Sequence, residues 1–297
     1  MLKSILAGEL SFYGRKKVSN TLFYNGTKVT DSIYLNFSFN EINYRFELEM
    51  TENNDLTFID HGTMGLRKSS GYFSEIPPVE ATGWRAYHFH DTSFSARIKN
   101  EHNISNCQVL LDDARNLAAF LYRLRENYNA EYKKIVKAIK RVAPYFKDFV
   151  LQPEEQNNEL IFLRWQEKGW DDILNPSQLY DGTLRFICLA TLLMQPPDLQ
   201  PATIIIDEPE LGLHPYAITI FAELVKKAAN QKQIILATQS VELLDHFEVE
   251  DVIVVDRGDN GSEFKRLDAE KLAVWLEDDY TLGELWNKNI FGGRVAR

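Results

Sequence analysis

The residues with the clearest chemistry lie in the segment Thr203-Ile-Ile-Ile-Asp-Glu-Pro-Glu-Leu-Gly-Leu-His-Pro215. A β-branched run leads straight into two adjacent carboxylates, Asp207 and Glu208. Such a run reads as a buried strand that stops at an acidic edge, and ligands of α/β folds bind beyond the carboxyl ends of the strands. A hard cation takes oxygen ligands, so Asp207 can hold Mg2+ directly or through water. Glu208 can orient and deprotonate a water that attacks a phosphate. The competing reading is a buried strand followed by an acidic turn with no chemistry.

Two further segments frame this one. Upstream, Ser177-Gln-Leu-Tyr-Asp-Gly-Thr-Leu-Arg-Phe186 runs into a helical stretch that reaches Met194. Downstream, Gln233-Ile-Ile-Leu-Ala-Thr238 is a strand pattern running into Gln239-Ser240. In this order the three segments resemble the signature, Walker B with D-loop, and switch motifs of the RecF/SMC-like AAA ATPases, single-chain ABC-type proteins. Tyr87-His-Phe-His-Asp-Thr-Ser93, Leu111 to Arg125 and Leu282 to Arg294 also look like this family, so the resemblance spans the chain.

The resemblance implies an α/β P-loop NTPase fold of the ABC/SMC type, as one N-terminally incomplete ABC-type ATPase domain. Its parts would be an antiparallel β-lobe over 11–110, a short helical arm over 111–150, and a RecA-like lobe over 151–297 holding signature, Walker B and switch. The implied cofactors are ATP and Mg2+, and the implied assembly is a homodimer that sandwiches ATP. Asp207 would then hold Mg2+, Glu208 would be catalytic, and Gln239 would contact the γ-phosphate or its water from the switch position. Ser177, Asp181, Gly182 and Thr183 would face the nucleotide bound by the other subunit, through backbone N–H groups and the helix dipole. Gly212 and His214 would form the D-loop at the dimer seam, which explains His214 better than a role as general base. The implied function is an ATP-hydrolysing dimeric switch in DNA repair or phage defence, with DNA and a separate effector such as a nuclease as partners.

Three departures qualify that picture. No stretch reads G-x-x-x-x-G-K-[ST]. The nearest imitation, Gly8 to Gly14-Arg15-Lys16, has one residue too many between its glycines and Arg in place of Lys, so it is rejected. The family carries its P-loop on a strand–helix unit ahead of this chain's first residue, and Met1 to Gly8 would be the tail of that region. Tyr180 stands where the signature has serine, and Gln239 where the switch commonly has histidine. A second reading therefore stays open, a truncated or degenerate subunit that binds partners without hydrolysing ATP. A missing first strand is expected to leave the central sheet short of a neighbour beside the Walker B strand, exposing an edge.

The elements that must position these residues follow from periodicity. Tyr34 to Phe39 and Tyr44 to Met50 alternate as strands, with a hairpin loop over Asn40 to Asn43 and another turn at Tyr24 to Thr27. Lys68 to Thr82 reads as loop, and Arg85 to His90 as a short strand. Helical stripes follow, Leu117, Leu121 and Leu124 and then Ile135, Ile139 and Val142, with a corner at Asn127 to Asn129 and an end at Pro144. Helices are expected over Thr183 to Met194 and Pro215 to Ala229, with proline at the start of the second. The apolar runs Thr203 to Asp207, Gln233 to Thr238 and Asp251 to Asp256 predict a parallel sheet covered on both faces.

Composition bounds the rest. The chain has 297 residues, 44% hydrophobic and 26% charged, which suits a folded globular protein rather than a disordered one. A net charge of −10 argues against a generally basic nucleic-acid binder but leaves room for a local basic face. Two cysteines form neither a disulfide framework nor a cysteine-rich zinc site, and Cys188 reads as core. With no apolar run of about 18 residues and no signal peptide, a cytoplasmic protein off the membrane is expected. His88 and His90 alternate on a strand; metal binding lacks further ligands, so a structural or nucleotide-proximal role is favoured. Lys133, Lys137, Lys140 and Arg141 share one helix face, read as a solvated face with a DNA-facing stripe as the sharper alternative. Glu277-Asp278-Asp279 is an acidic surface turn, with too little chain after Asp256 for a nuclease domain.

Overall fold

The computed structural model describes residues 30–39, 42–50, 56–63, 83–258 and 261–293. The expected turn at Tyr24 to Thr27, the rejected glycine segment from Gly8 and the loop from Lys68 lie outside the described residues. Backbone contacts divide the chain into two units, Met1–Gly83 and Trp84–Arg297.

In the first unit, β1 (Ser32–Phe39), β2 (Ile42–Met50) and β3 (Leu56–Thr63) form an antiparallel sheet in the order β1-β2-β3. Pairing from Ser32↔Glu49 to Phe39↔Ile42 puts β1 and β2 in a hairpin, as their period-2 alternation predicts. Leu48 is fully buried, and the register shifts beside it in the pairing with β3.

The second unit begins with β4 (Trp84–Tyr87) and β5 (His102–Asn103), followed by helices α1 (Leu117–Asn127) and α2 (Asn129–Val142). Both helices follow the predicted stripes: Leu117, Leu121 and Leu124 are buried on one, Ile135 and Ile139 on the other, with Val142 only half-buried at its end. Short strands follow that the periodicity did not predict. They are β6 (Phe146–Val150), β7 (Pro153–Glu154), β8 (Asn157–Ile161), β9 (Arg164–Glu167) and β10 (Ile173–Leu174). They build two small antiparallel sheets, β10-β9-β6 and β5-β8-β7. Trp165 of β9 is buried and stacks on Phe146 with ring centroids 5.8 Å apart.

Helix α3 (Asp181–Met194) is the centre of the core. Ten of its fourteen residues are buried, too many for one apolar stripe, so neighbours surround it. Its Leu184, Phe186 and Leu189 belong to one cluster with α1, α2 and the strand β11 (Thr203–Asp207). Then come α4 (Pro215–Ala229), β12 (Gln233–Ala237) and the short α5 (Val241–Leu244). A separate small core of Val249, Val254, Leu267, Leu272, Leu282, Leu285 and Phe291 holds the last elements together. These are β13 (Ile253–Gly258), β14 (Gly261–Arg266), α6 (Ala269–Glu277) and α7 (Leu282–Asn287).

The sheet that carries the carboxylates has the order β12-β11-β4, parallel throughout. Three expectations are corrected here. First, β11 is paired on both sides, so among the described residues the edges of this sheet are β12 and β4, not the Walker B strand. Second, among the described residues helices cover one face only. Ile204 and Ile206 are buried, while Ile205 on the other face is half-buried and Gln233, Ile235 and Ala237 are exposed. Third, β13 pairs antiparallel with β14 rather than joining the parallel sheet. An apolar run shows that a strand is half-buried or better, but not which strand lies beside it.

Candidate functional site

Strand β11 delivers Asp207 and Glu208 to the carboxyl edge of the sheet, with Asp207 in register with Ala237. The N–H of Glu208 donates to the Ala237 carbonyl at 2.8 Å, extending the pairing one residue beyond the strand. The backbone then reverses. Glu208 has φ +41°, in the left-handed region, and the N–H groups of Leu211 and Leu213 donate to the carbonyls of Glu208 and Glu210. A side chain with a β-carbon resists that conformation by roughly 1–2 kcal/mol. Strain of this kind collects at sites where geometry serves function.

Strand β4 ends at Tyr87, so His88, Phe89 and His90 leave the sheet beside Asp207. The two imidazoles have different partners. The Nδ1 of His88 stands 3.8 Å from the Asp207 carboxylate. The Nε2 of His90 lies 2.8 Å from the Asp207 backbone carbonyl, and since a carbonyl only accepts, this nitrogen carries the hydrogen. His90 is thus structural and His88 faces the carboxylate.

Arg185, from the second turn of α3, is 5% exposed. Its Nε donates to the Phe89 carbonyl at 2.9 Å and its Nη2 to the His90 carbonyl at 3.0 Å. Burial lowers its pKa, with Asp181 acting in the opposite sense. Together with Phe89, His90, Leu189, Ile206 and Pro209, it lines a crevice that also contains Asp207 and Glu208. Sequence reading noted this arginine only as a letter of the motif, because nothing in a linear string shows which carbonyls it reaches.

The first turn of α3 presents Asp181, Gly182 and Thr183. Its N-cap residue, Tyr180, makes no capping bond, and the ring is 74% exposed, edge-on to Tyr145. Asp181 pairs with Lys99 at 3.7 Å, and the Thr183 hydroxyl bonds that of Tyr145 at 3.0 Å. Gly182 lies against the next loop so closely that a β-carbon on it would be 2.3 Å from the Gly212 carbonyl oxygen. Gly212 has φ +72°, as its left-handed turn requires of glycine, and His214 caps α4 by accepting the Tyr216 N–H on Nδ1. Ser177 is exposed in the short turn Pro176–Gln178 ahead of α3.

Beyond β12, Gln239 is exposed two residues past the partner of Asp207. The adjacent Thr238 hydroxyl donates to Glu210 Oε1 at 2.8 Å, while Glu210 Oε2 is buried without a hydrogen-bond partner. The structure therefore brings Asp207, Glu208, Gly182 and Gly212 into one neighbourhood and sets Gln239 at the same sheet edge. It sets His88 and His90, favoured from sequence for a structural or nucleotide-proximal role, beside Asp207, and adds Arg185 and Glu210, which the sequence did not single out for this site.

Among the described residues no three His, Cys, Asp or Glu side chains converge on a common metal position. The half-exposed Asp207 carboxylate still suits a hard divalent cation, which would fill the rest of its shell with phosphate oxygens and water. The first turn of α3 likewise suits an anion, since no N-cap side chain accepts from its leading N–H groups.

Comparison with known families matches most of the chain. The family AAA_21, described as "AAA domain, putative AbiEii toxin, Type IV TA system", matches residues 2–245. Among solved structures, the SMC head domain from Thermotoga maritima aligns at 15% identity over 80% of this chain and 75% of its own, with TM-score 0.43. An Smc head bound to the C-winged helix domain of ScpA aligns at 14% identity over 82% and 75%, TM-score 0.48. An Smc head with an extended coiled coil, bound to the C-terminal domain of ScpA and derived from Pyrococcus furiosus, aligns at 13% over 80% and 75%, TM-score 0.49. No curated protein matches the chain.

Proposed function

The chain belongs to this AAA family, and on that premise we propose that it is an ATP-hydrolysing switch that works as a homodimer, with Mg2+ at Asp207. The observation that carries the reading is the pair Asp207 and Glu208 at the carboxyl edge of a parallel strand, in the same subunit as an uncapped helix N-terminus pressed against Gly212. Bound Mg2+ would supply charge neutralisation at the phosphates. Asp207 would hold it, and Glu208 would take the proton of the attacking water. Gln239 would orient that water from the end of β12. The N–H groups of Asp181, Gly182 and Thr183 would face the phosphates held by the second subunit.

Apolar surface around the proposed seam supports a second copy. Tyr180, Leu211 and Tyr216 are 74%, 47% and 49% exposed, each one or two residues from Asp181, Gly212 or His214. The Asp181–Lys99 pair ties in the turn that carries Phe94, which is 90% exposed. We place DNA, if it is the signal, on the α2 face at Lys133, Lys137 and Lys140. Arg141 is committed to Glu223 at 3.0 Å. Action in DNA repair or phage defence, with a nuclease-like effector in the cytoplasm, extends this proposal. Among the described residues no helix is long and apolar enough to cross a membrane.

The second reading, a subunit that binds partners without hydrolysis, draws on Tyr180 in place of the signature serine and on the lack of a G-x-x-x-x-G-K-[ST] sequence. Equilibrium binding of ATP–Mg2+ to the full chain, with Asp207→Ala as control, separates the two. Binding that the control abolishes supports the hydrolytic switch. No binding by the parent chain overturns it in favour of the partner-binding subunit.

A further inference from the structure

Among the described buried residues, Arg185 alone carries a charge. A buried cation is normally retained with a counter-charge, yet both hydrogen bonds of this guanidinium go to backbone carbonyls, those of Phe89 and His90. Its third nitrogen faces Gly212, where a β-carbon would stand 2.8 Å from Nη1. One turn earlier on the same helix, Gly182 is in contact with the Gly212 carbonyl. His90 in turn bonds the Asp207 carbonyl, and His88 faces the Asp207 carboxylate. These contacts close a ring through four segments: the start of α3, the residues after β4, the end of β11, and the turn at Gly212.

We propose that Arg185 is a positioning residue that locks the first turns of α3 to the Asp207–Glu208 turn within one subunit. A guanidinium suits this role because its planar fork fixes two carbonyls at once, whereas an ammonium is a point charge on a flexible stem. With no slack at Gly182 or Gly212, displacement of the first turn of α3 shifts the Gly212 turn and, through Arg185, the two carbonyls that set His88 and His90. Occupation of the helix N-terminus is thereby transmitted to the carboxylates. That consequence rests on the cation assignment proposed above, whereas the mechanical lock does not.

Native-state hydrogen exchange on the full chain tests the lock without any ligand. In Arg185→Met, exchange at the Glu208, Leu211 and Leu213 amides should quicken about tenfold, while amides in the middle of α1 keep their protection. Arg185→Lys should fall between the two proteins. Arg185→Gln, which keeps a single donor for one of the two carbonyls, should give a milder form of the same selective pattern even if Arg185→Met folds poorly. Unchanged exchange at those three amides, or an equal rise throughout the unit, overturns the proposal and returns Arg185 to ordinary packing. Mn2+ titration followed by electron paramagnetic resonance then reads the functional consequence. Weaker binding in Arg185→Met, with none in Asp207→Asn, supports transmission to the cation site. Binding that survives Asp207→Asn sinks the cation assignment and leaves the exchange result to decide the lock.

Discussion

The hydroxyl of Thr238 donates to Glu210 Oε1 at 2.8 Å, joining the residues after β12 to the turn after β11. The same hydroxyl oxygen accepts the Ser240 N–H at 2.9 Å. One side chain thus fixes the approach to Gln239 relative to Asp207. Because Glu210 Oε2 is already buried without a partner, Thr238→Val also removes the hydrogen bond that Oε1 accepts, the one this carboxylate makes among the described residues. Urea denaturation should show a loss of about 1–3 kcal/mol, since a buried acceptor left unpaired keeps its desolvation penalty. A variant as stable as the parent would show that the contact is made equally well by water.

Glu208→Gln should abolish turnover while ATP-bound dimer accumulates, because the amide can hold the water but cannot take its proton. Steady-state phosphate release and sedimentation in ATP–Mg2+ measure the two effects together. Hydrolysis at the parent rate removes Glu208 from the catalytic assignment.

The backbone at position 208 makes a separate prediction. At φ +41°, glycine is favoured over any residue with a β-carbon. Glu208→Gly should be more stable than Glu208→Ala by about 1 kcal/mol, the reverse of the usual order within regular structure. Equal stabilities would mean that the turn relaxes when the carboxylate is gone.

Alkaline pH should weaken the fold. Burial pushes the Cys188 thiol up to about 12 and the Tyr87 hydroxyl to about 12, from ordinary values of 9.0 and 10.0. Above pH 9 the unfolded chain loses these protons first, so the stabilisation is complete below that pH and declines as pH rises toward 12. Denaturation midpoints should fall across that range, and Cys188→Ala should make the fall shallower. The same burial predicts that Cys188 resists thiol reagents in the native protein at pH 8.

Charge reversal at Lys137 and Lys140 should weaken DNA binding and flatten its dependence on salt, since fewer counter-ions are released. Fluorescence anisotropy at two or more salt concentrations reads both quantities. Binding that does not change makes this helix face a solvated surface only.

What the sequence revealed, and what it did not, follows from the range of the interactions. The carboxylate pair, the helix beginning at Pro215 and the stripes of α1 and α2 were legible because each depends on neighbours a few residues away. The pairing of β4 with β11 was not. A short strand was legible at Arg85 to His90, but nothing local shows that Trp84–Tyr87 pairs with Ile204 and its neighbours in a distant part of the chain. The strands from Phe146 to Leu174 were missed for a related reason: they are brief and interrupted by charge. His88 and His90 looked equivalent in the sequence, yet one meets a carboxylate and the other a carbonyl. Arg185 carries the same lesson, since its partners, the carbonyls of Phe89 and His90, lie 96 and 95 residues earlier in the chain.

The left-handed turn at Glu208 also bears on what the backbone would choose by itself. Glycine or asparagine accepts that conformation more readily than glutamate. Glutamate stands there all the same, followed by a proline that narrows the conformations open to it still further. The turn is thus built against local preference, and contacts from outside it, such as the bond from the Glu208 N–H to the Ala237 carbonyl, must hold it in place.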